Sequence, residues 1–119
     1  MKLKVTRNQV DMKGLFGGHK GVRFSITAKA DVTPEEKELI EHYKMGDQVL
    51  ARWEPDREKD KTFDGTLSVQ SLLNGRTVES ESLGKLQELE EQVIEGCKKL
   101  KGYLAVARSF GNEVELDIE

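Results

Sequence analysis

Residues 22–32 read VRFSITAKADV. Val22, Phe24, Ile26, Ala28, Ala30 and Val32 take every second position, and Arg23, Ser25, Thr27, Lys29 and Asp31 fill the gaps. Side chains of a strand point alternately to opposite faces, so a period of two held over eleven residues marks a strand with one dry and one wet face. No other stretch alternates so regularly, and the rest of the fold is read outward from it.

Immediately upstream lies KGLFGGHKGVRF, residues 13–24, with four of the chain's eleven glycines. Before that, KLKVT alternates through Leu3 and Val5, while Val10 and Met12 take the opposite parity. A bulge near Arg7–Gln9 is the expected cause. The glycines then join two strands, and residues 1–32 form a basic N-terminal hairpin.

Downstream, Thr33, Pro34 and Glu36 carry the signature of a helix start: a capping hydroxyl, proline at the first helical position and a glutamate to close the capping box. A short helix over 34–44 follows, with Leu39, Ile40 and Tyr43 facing inward and Gly46 stopping it. Central strands are expected within 47–80. In DQVLARWE, Val49, Ala51 and Trp53 would share one face, and Trp53, the only tryptophan, reads as core. PDREKDKTFDG is a charged loop. TLSVQ and RTVES would pair as a hairpin across Asn74-Gly75, a favoured turn dipeptide.

From Ser82 the period changes. Leu83, Leu86, Leu89, Val93, Cys97, Leu100, Leu104 and Ala107 recur at helical spacing, with Ile94, Tyr103 and Phe110 beside them. This stripe continues through Gly102, so one long helix over 82–109 is expected, ended by Gly111-Asn112, although Gly102 could instead stop it and leave YLAVARSF as a strand. The glycine costs about 1 kcal/mol relative to alanine. The last residues, 113–119, read EVELDIE, a strand with Val114, Leu116 and Ile118 on one face and acids on the other. The order is that of a single α+β domain with a largely antiparallel β-sheet, one short and one long α-helix.

Charge is unevenly placed. The net charge is −3, yet residues 1–30 hold seven basic side chains against one acidic. An acidic total argues against general nucleic-acid binding. The layout asks for internal pairing, because opposite charges stabilise neighbouring strands and like charges oppose them. The acidic 113–119 strand is therefore expected to lie beside KLKVT or VRFSITAK, within one chain or between chains.

No motif carries chemistry. A phosphate-binding Walker loop would need glycine where His19 stands and a hydroxyl after Lys20. The dinucleotide fingerprint lacks its glycine spacing. Gly18-x-x-Gly21 has the form of the loop by which KH domains clamp a nucleotide backbone, but a strand follows it, not a helix. What survives is an anion nest of backbone N–H groups. Its residues would be Lys13, Gly17, Gly18, His19, Lys20, Gly21 and Arg23. Cys97 lies on the apolar stripe and reads as core rather than nucleophile. His42 falls on the exposed side of the short helix. Two histidines and one cysteine, far apart, make no metal set, so no catalytic residue, metal or cofactor is expected.

A single cysteine fits a reducing compartment, and no segment has the apolar length of a signal peptide or membrane span. The sequence thus points to a small, cytoplasmic, non-enzymatic binding or accessory protein. It would act through protein–protein contacts, the heptad-like stripe of the long helix suiting a homodimer as well as cover for the chain's own sheet. The alternative is a small-ligand binder holding an anionic group, nucleotide or phosphate, at the basic glycine-rich hairpin.

Overall fold

Two twelve-residue strands, β1 (Lys2–Lys13) and β2 (Lys20–Asp31), form the longest feature of the sheet structure. The computed structural model describes residues 1–13, 20–54, 65–113 and 115–118. β1 and β2 pair antiparallel in one unbroken register from Lys2↔Asp31 to Lys13↔Lys20. The bulge expected near Arg7–Gln9 is absent. Leu3 and Val5 pack against the core, and Val10 and Met12 pair with Arg23 and Gly21, past the end of the third strand, β5 (Arg76–Ser80). β5 pairs with β2 only from Phe24↔Ser80 to Ala28↔Arg76, giving the order β1-β2-β5.

The alternation of β2 is realised in its second half, whereas Phe24 is partly buried and Val22 exposed. Ile26, Ala28 and Ala30 are buried. On the wet face the Thr27 and Thr77 hydroxyls meet at 2.8 Å.

Helix α1 (Pro34–His42) has its complete capping box. The Glu36 N–H donates to Thr33 Oγ1 at 3.1 Å, and the Thr33 N–H donates to Glu36 Oε1 at 2.9 Å. Ile40 is buried, but Tyr43 is exposed, one residue past the helix. The left-handed position at the helix end falls to Lys44, at φ 54°, and not to Gly46.

Between 47 and 80 the pairing differs from expectation. β3 (Val49–Arg52) pairs with β4 (Thr66–Ser68) as a separate two-stranded antiparallel sheet. A register shift between Val49 and Ala51 turns both Leu50 and Ala51 inward and leaves Val49 exposed. Trp53 is only partly buried, and the Arg76 guanidinium lies 5.9 Å from its ring centroid. After β4 the chain forms helix α2 (Val69–Asn74), capped by Ser68. The Asn74-Gly75 hairpin is therefore not formed. Gly75, at φ 90°, ends a helix there, and β5 joins β2 instead.

The long helix α3 (Leu83–Ser109) passes through Gly102 without interruption, as the continuing stripe predicts. At 1.5 Å per residue it spans about 40 Å. Leu86, Leu89, Val93, Cys97, Leu100, Leu104 and Ala107 are buried, and the helix packs on β2, β3 and β5. Its stripe thus covers the chain's own sheets. Gly96 makes this approach possible: a Cβ there would sit 2.8 Å from the Leu50 carbonyl oxygen and 2.9 Å from Leu50 Cβ.

Residues 113 and 115–118 form no strand. Among the described residues the acidic segment joins neither basic strand of its own chain: β2 has a neighbour on each side, and β1 has β2 alone. The result is a mixed α+β domain with extents of 69 × 32 × 22 Å and a radius of gyration of 18.4 Å. A compact chain of this length would have about 13–14 Å. The long hairpin and long helix set the difference.

Candidate functional site

Two surfaces stand out: the basic hairpin, and the apolar end of α3 with the segment that follows it. On the hairpin, cations meet acids from elsewhere in the fold. Lys4 reaches Asp31 at 3.1 Å, Arg7 reaches Glu90 on α3 at 2.7 Å, and Arg23 reaches Glu79 on β5 at 3.0 Å. The basic front is therefore balanced in part by Asp31, Glu79 and Glu90 of its own chain. Glu90, which interrupts the apolar seam of α3, is explained by this pairing.

Asp31 is held below the usual carboxylate range, first by its hydrogen bond and then by its attraction to Lys4, with Lys29 and Lys2 adding to it. Three ammonium groups thus surround one carboxylate. Lys4 and Lys29 are direct cross-strand partners, a like-charge pair that favours a further acid nearby. The hydrogen bond to Glu90, followed by its charge, makes the Arg7 guanidinium still harder to deprotonate.

The expected anion nest is brought together only in part. Lys13 and Lys20 form the last cross-strand pair of the hairpin, and Gly21 lies opposite Met12. Gly17, Gly18 and His19 fall outside the described residues. Arg23, opposite Val10, directs its guanidinium to Glu79.

At the other end, Met1, Glu36 and Arg108 tie three elements together. The amino group of Met1 lies 3.2 Å from Glu36 Oε1, and Arg108 lies between Glu35 and Glu36. Burial pushes the Glu36 carboxyl up. The Thr33 N–H, the hydrogen bond and charge of the amino terminus, and the Thr33 hydroxyl outweigh it, so its pKa ends below the usual value. The start of β1 and the end of α3 are thereby neighbours.

Beyond that clamp the surface turns apolar. Tyr103 is 47% exposed, Val106 55% and Phe110 66%, at spacings of three and four residues on one side of α3. Leu116 and Ile118 follow at 77% and 90%. Sequence reasoning placed Tyr103 and Phe110 beside the buried stripe; their own spacing, with Val106, marks a second and outward stripe.

An open groove of about 550 Å³ runs beside α1, lined by Glu35, Glu38, Leu39, Glu41 and His42. His42 is exposed and stacks edge-on with Tyr43. A smaller hollow of about 230 Å³ lies between α3 and β3. Cys97 is buried on α3, and burial pushes its thiol pKa up, which suits a core residue and not a nucleophile. Among the described residues no three His, Cys, Asp or Glu gather as metal ligands, and no helix is long and apolar enough to cross a membrane.

Comparison with protein-family models, with curated proteins and with solved structures finds no match for this chain.

Proposed function

We propose that this chain is a non-enzymatic binding protein that works through protein–protein contacts and assembles with copies of itself. The observation that carries the reading is the run of exposed apolar side chains Tyr103, Val106, Phe110, Leu116 and Ile118 at one end of the molecule. Single apolar residues on a surface are ordinary, but a contiguous stripe on a helix, continued by the segment beyond it, is what interaction surfaces display. The polar, ion-paired surface of the hairpin contrasts with it. Light scattering with mass determination across a concentration series tests the reading. The expected result is a species of twice the 13.4 kDa chain mass that dissociates on dilution. A single-chain mass at every concentration contradicts it.

A further inference from the structure

We infer that residues 115–118 of one copy add as an edge strand to β1 of a second copy, in a reciprocal exchange between two chains. The inference rests on the assembly reading above and names the surfaces that perform it.

Consider first the acceptor. Among the described residues β1 lies at the edge of its sheet, with β2 on one side and no strand on the other. Such an edge presents a row of N–H and C=O groups ready to pair with another chain. On its inner face Leu3 and Val5 are only partly buried, so the core is open along this edge. On its outer face Lys2 and Lys4 are exposed; Lys4 pairs with Asp31 at 3.1 Å and stands directly across from Lys29. The edge therefore offers a half-covered apolar row on one side and surplus positive charge on the other.

Residues 115–118 match both. Leu116 and Ile118 alternate with Glu115 and Asp117, and the two apolar side chains are almost fully exposed. Laid antiparallel along β1, the segment sets Leu116 opposite Leu3, with Val5 on the diagonal, and Ile118 opposite the partly buried Met1. Glu115 then stands opposite Lys4 and Asp117 opposite Lys2. Shifting the segment by one residue would bury acids and expose leucine and isoleucine, so the pattern fixes the register to steps of two.

A second copy is favoured over the chain's own segment for two reasons. Arg108, Glu36 and Met1 hold the end of α3 at the start of β1. From there a chain can follow its own β1 only in the parallel sense, whereas a second copy's segment can run antiparallel, the better-paired arrangement. The outward stripe of Tyr103, Val106 and Phe110 supplies the other reason. A strand folded back within one chain leaves it in water; a second copy brings a further surface to cover it. A stable pair buries about 800 Å² on each partner, more than so short a strand supplies, and the stripe is the adjoining apolar surface. Reciprocal exchange by two copies is self-complementary and closes without open ends.

The test uses two full-length variants with opposite charge reversals. One carries Glu115→Lys and Asp117→Lys; the other carries Lys2→Glu and Lys4→Glu. In a pair of either variant alone, like charges face each other at both contacts. In a mixed pair, both contacts are again complementary. Native mass spectrometry and light scattering should show each variant alone dissociating about tenfold or more readily than the unmodified chain, with the equimolar mixture forming a heterodimer. Circular dichroism checks that each variant is folded. Leu116→Arg with Ile118→Arg is a further variant at exposed positions, and it should also weaken the pair. If every variant pairs as well as the unmodified chain, strand exchange is overturned while the assembly reading stands. If the unmodified chain is a single copy throughout, the assembly reading fails and this inference fails with it.

Discussion

Glu36 shows how much one side chain can join. It closes the capping box of α1, receives the amino group of Met1 and lies 3.9 Å from Arg108 on α3. Its lowered pKa fixes the sign of a pH effect. A carboxyl whose folded pKa lies below its unfolded one stabilises the fold above the unfolded value, and that stability is lost as pH falls through the folded value. Thermal melts of the unmodified chain should therefore drop as pH falls below the usual carboxylate range. In Glu36→Gln the melting temperature should be lower at neutral pH, and the difference between the two chains should shrink as pH falls. An equal difference at all pH values would show that the charge of Glu36 is not what stabilises the junction. The capping box was legible from Thr33-Pro34-Glu35-Glu36 because it is local. The contacts with Met1 and Arg108 join residues far apart in the chain, and no local pattern announces them.

At the scale of elements, the two glycines of α3 separate what a helix needs from what packing needs. Gly102 has nothing within 4 Å of where a Cβ would stand, whereas Gly96 faces the Leu50 backbone at 2.8 Å. Gly102→Ala should raise stability by about 1 kcal/mol, the propensity difference alone. Gly96→Ala should lower it by about 1–3 kcal/mol, because overpacking at a backbone contact outweighs the same gain. Urea unfolding of both variants checks the pair of signs; two stabilising substitutions would mean that α3 does not rest on β3 as described. The course of α3 through Gly102 was readable because its stripe persists, and β2 was readable because its alternation is long. Three elements were not. The six residues of α2 are too few to show a helical period, and Asn74-Gly75 was read as a hairpin turn where it ends a helix. The irregular pairing at Val49/Ala51 broke the parity on which the inward face of β3 was read. The alternation of 113–119 is clean over its seven residues, but alternation states only that a partner strand is suited, not that the same chain provides it.

For the whole molecule, the basic front and acidic remainder identify what must be balanced but not by which acids. Arg7 and Arg23 find Glu90 and Glu79 across the fold, leaving the lysines around Asp31 at the open edge of β1. Of the seven residues expected to hold an anion, the described ones place Lys13 beside Lys20 at the hairpin end and commit Arg23 to β5. The apolar stripe of α3 was expected to serve either a partner or the chain's own sheets. Its buried side serves the sheets, and the outward Tyr103, Val106 and Phe110 form a separate surface that the buried pattern masked in sequence. These features meet in one account: a domain whose open basic edge and exposed acidic end are complementary to each other, in two copies. The most direct measurement is isotope-filtered NMR on an equimolar mixture of carbon-13-labelled and unlabelled chains, read at the methyl groups of Leu116 and Ile118. The account predicts contacts between those methyls on one copy and Leu3 and Val5 on the other. Methyl contacts found only within a single copy, or none to β1 at all, would contradict it.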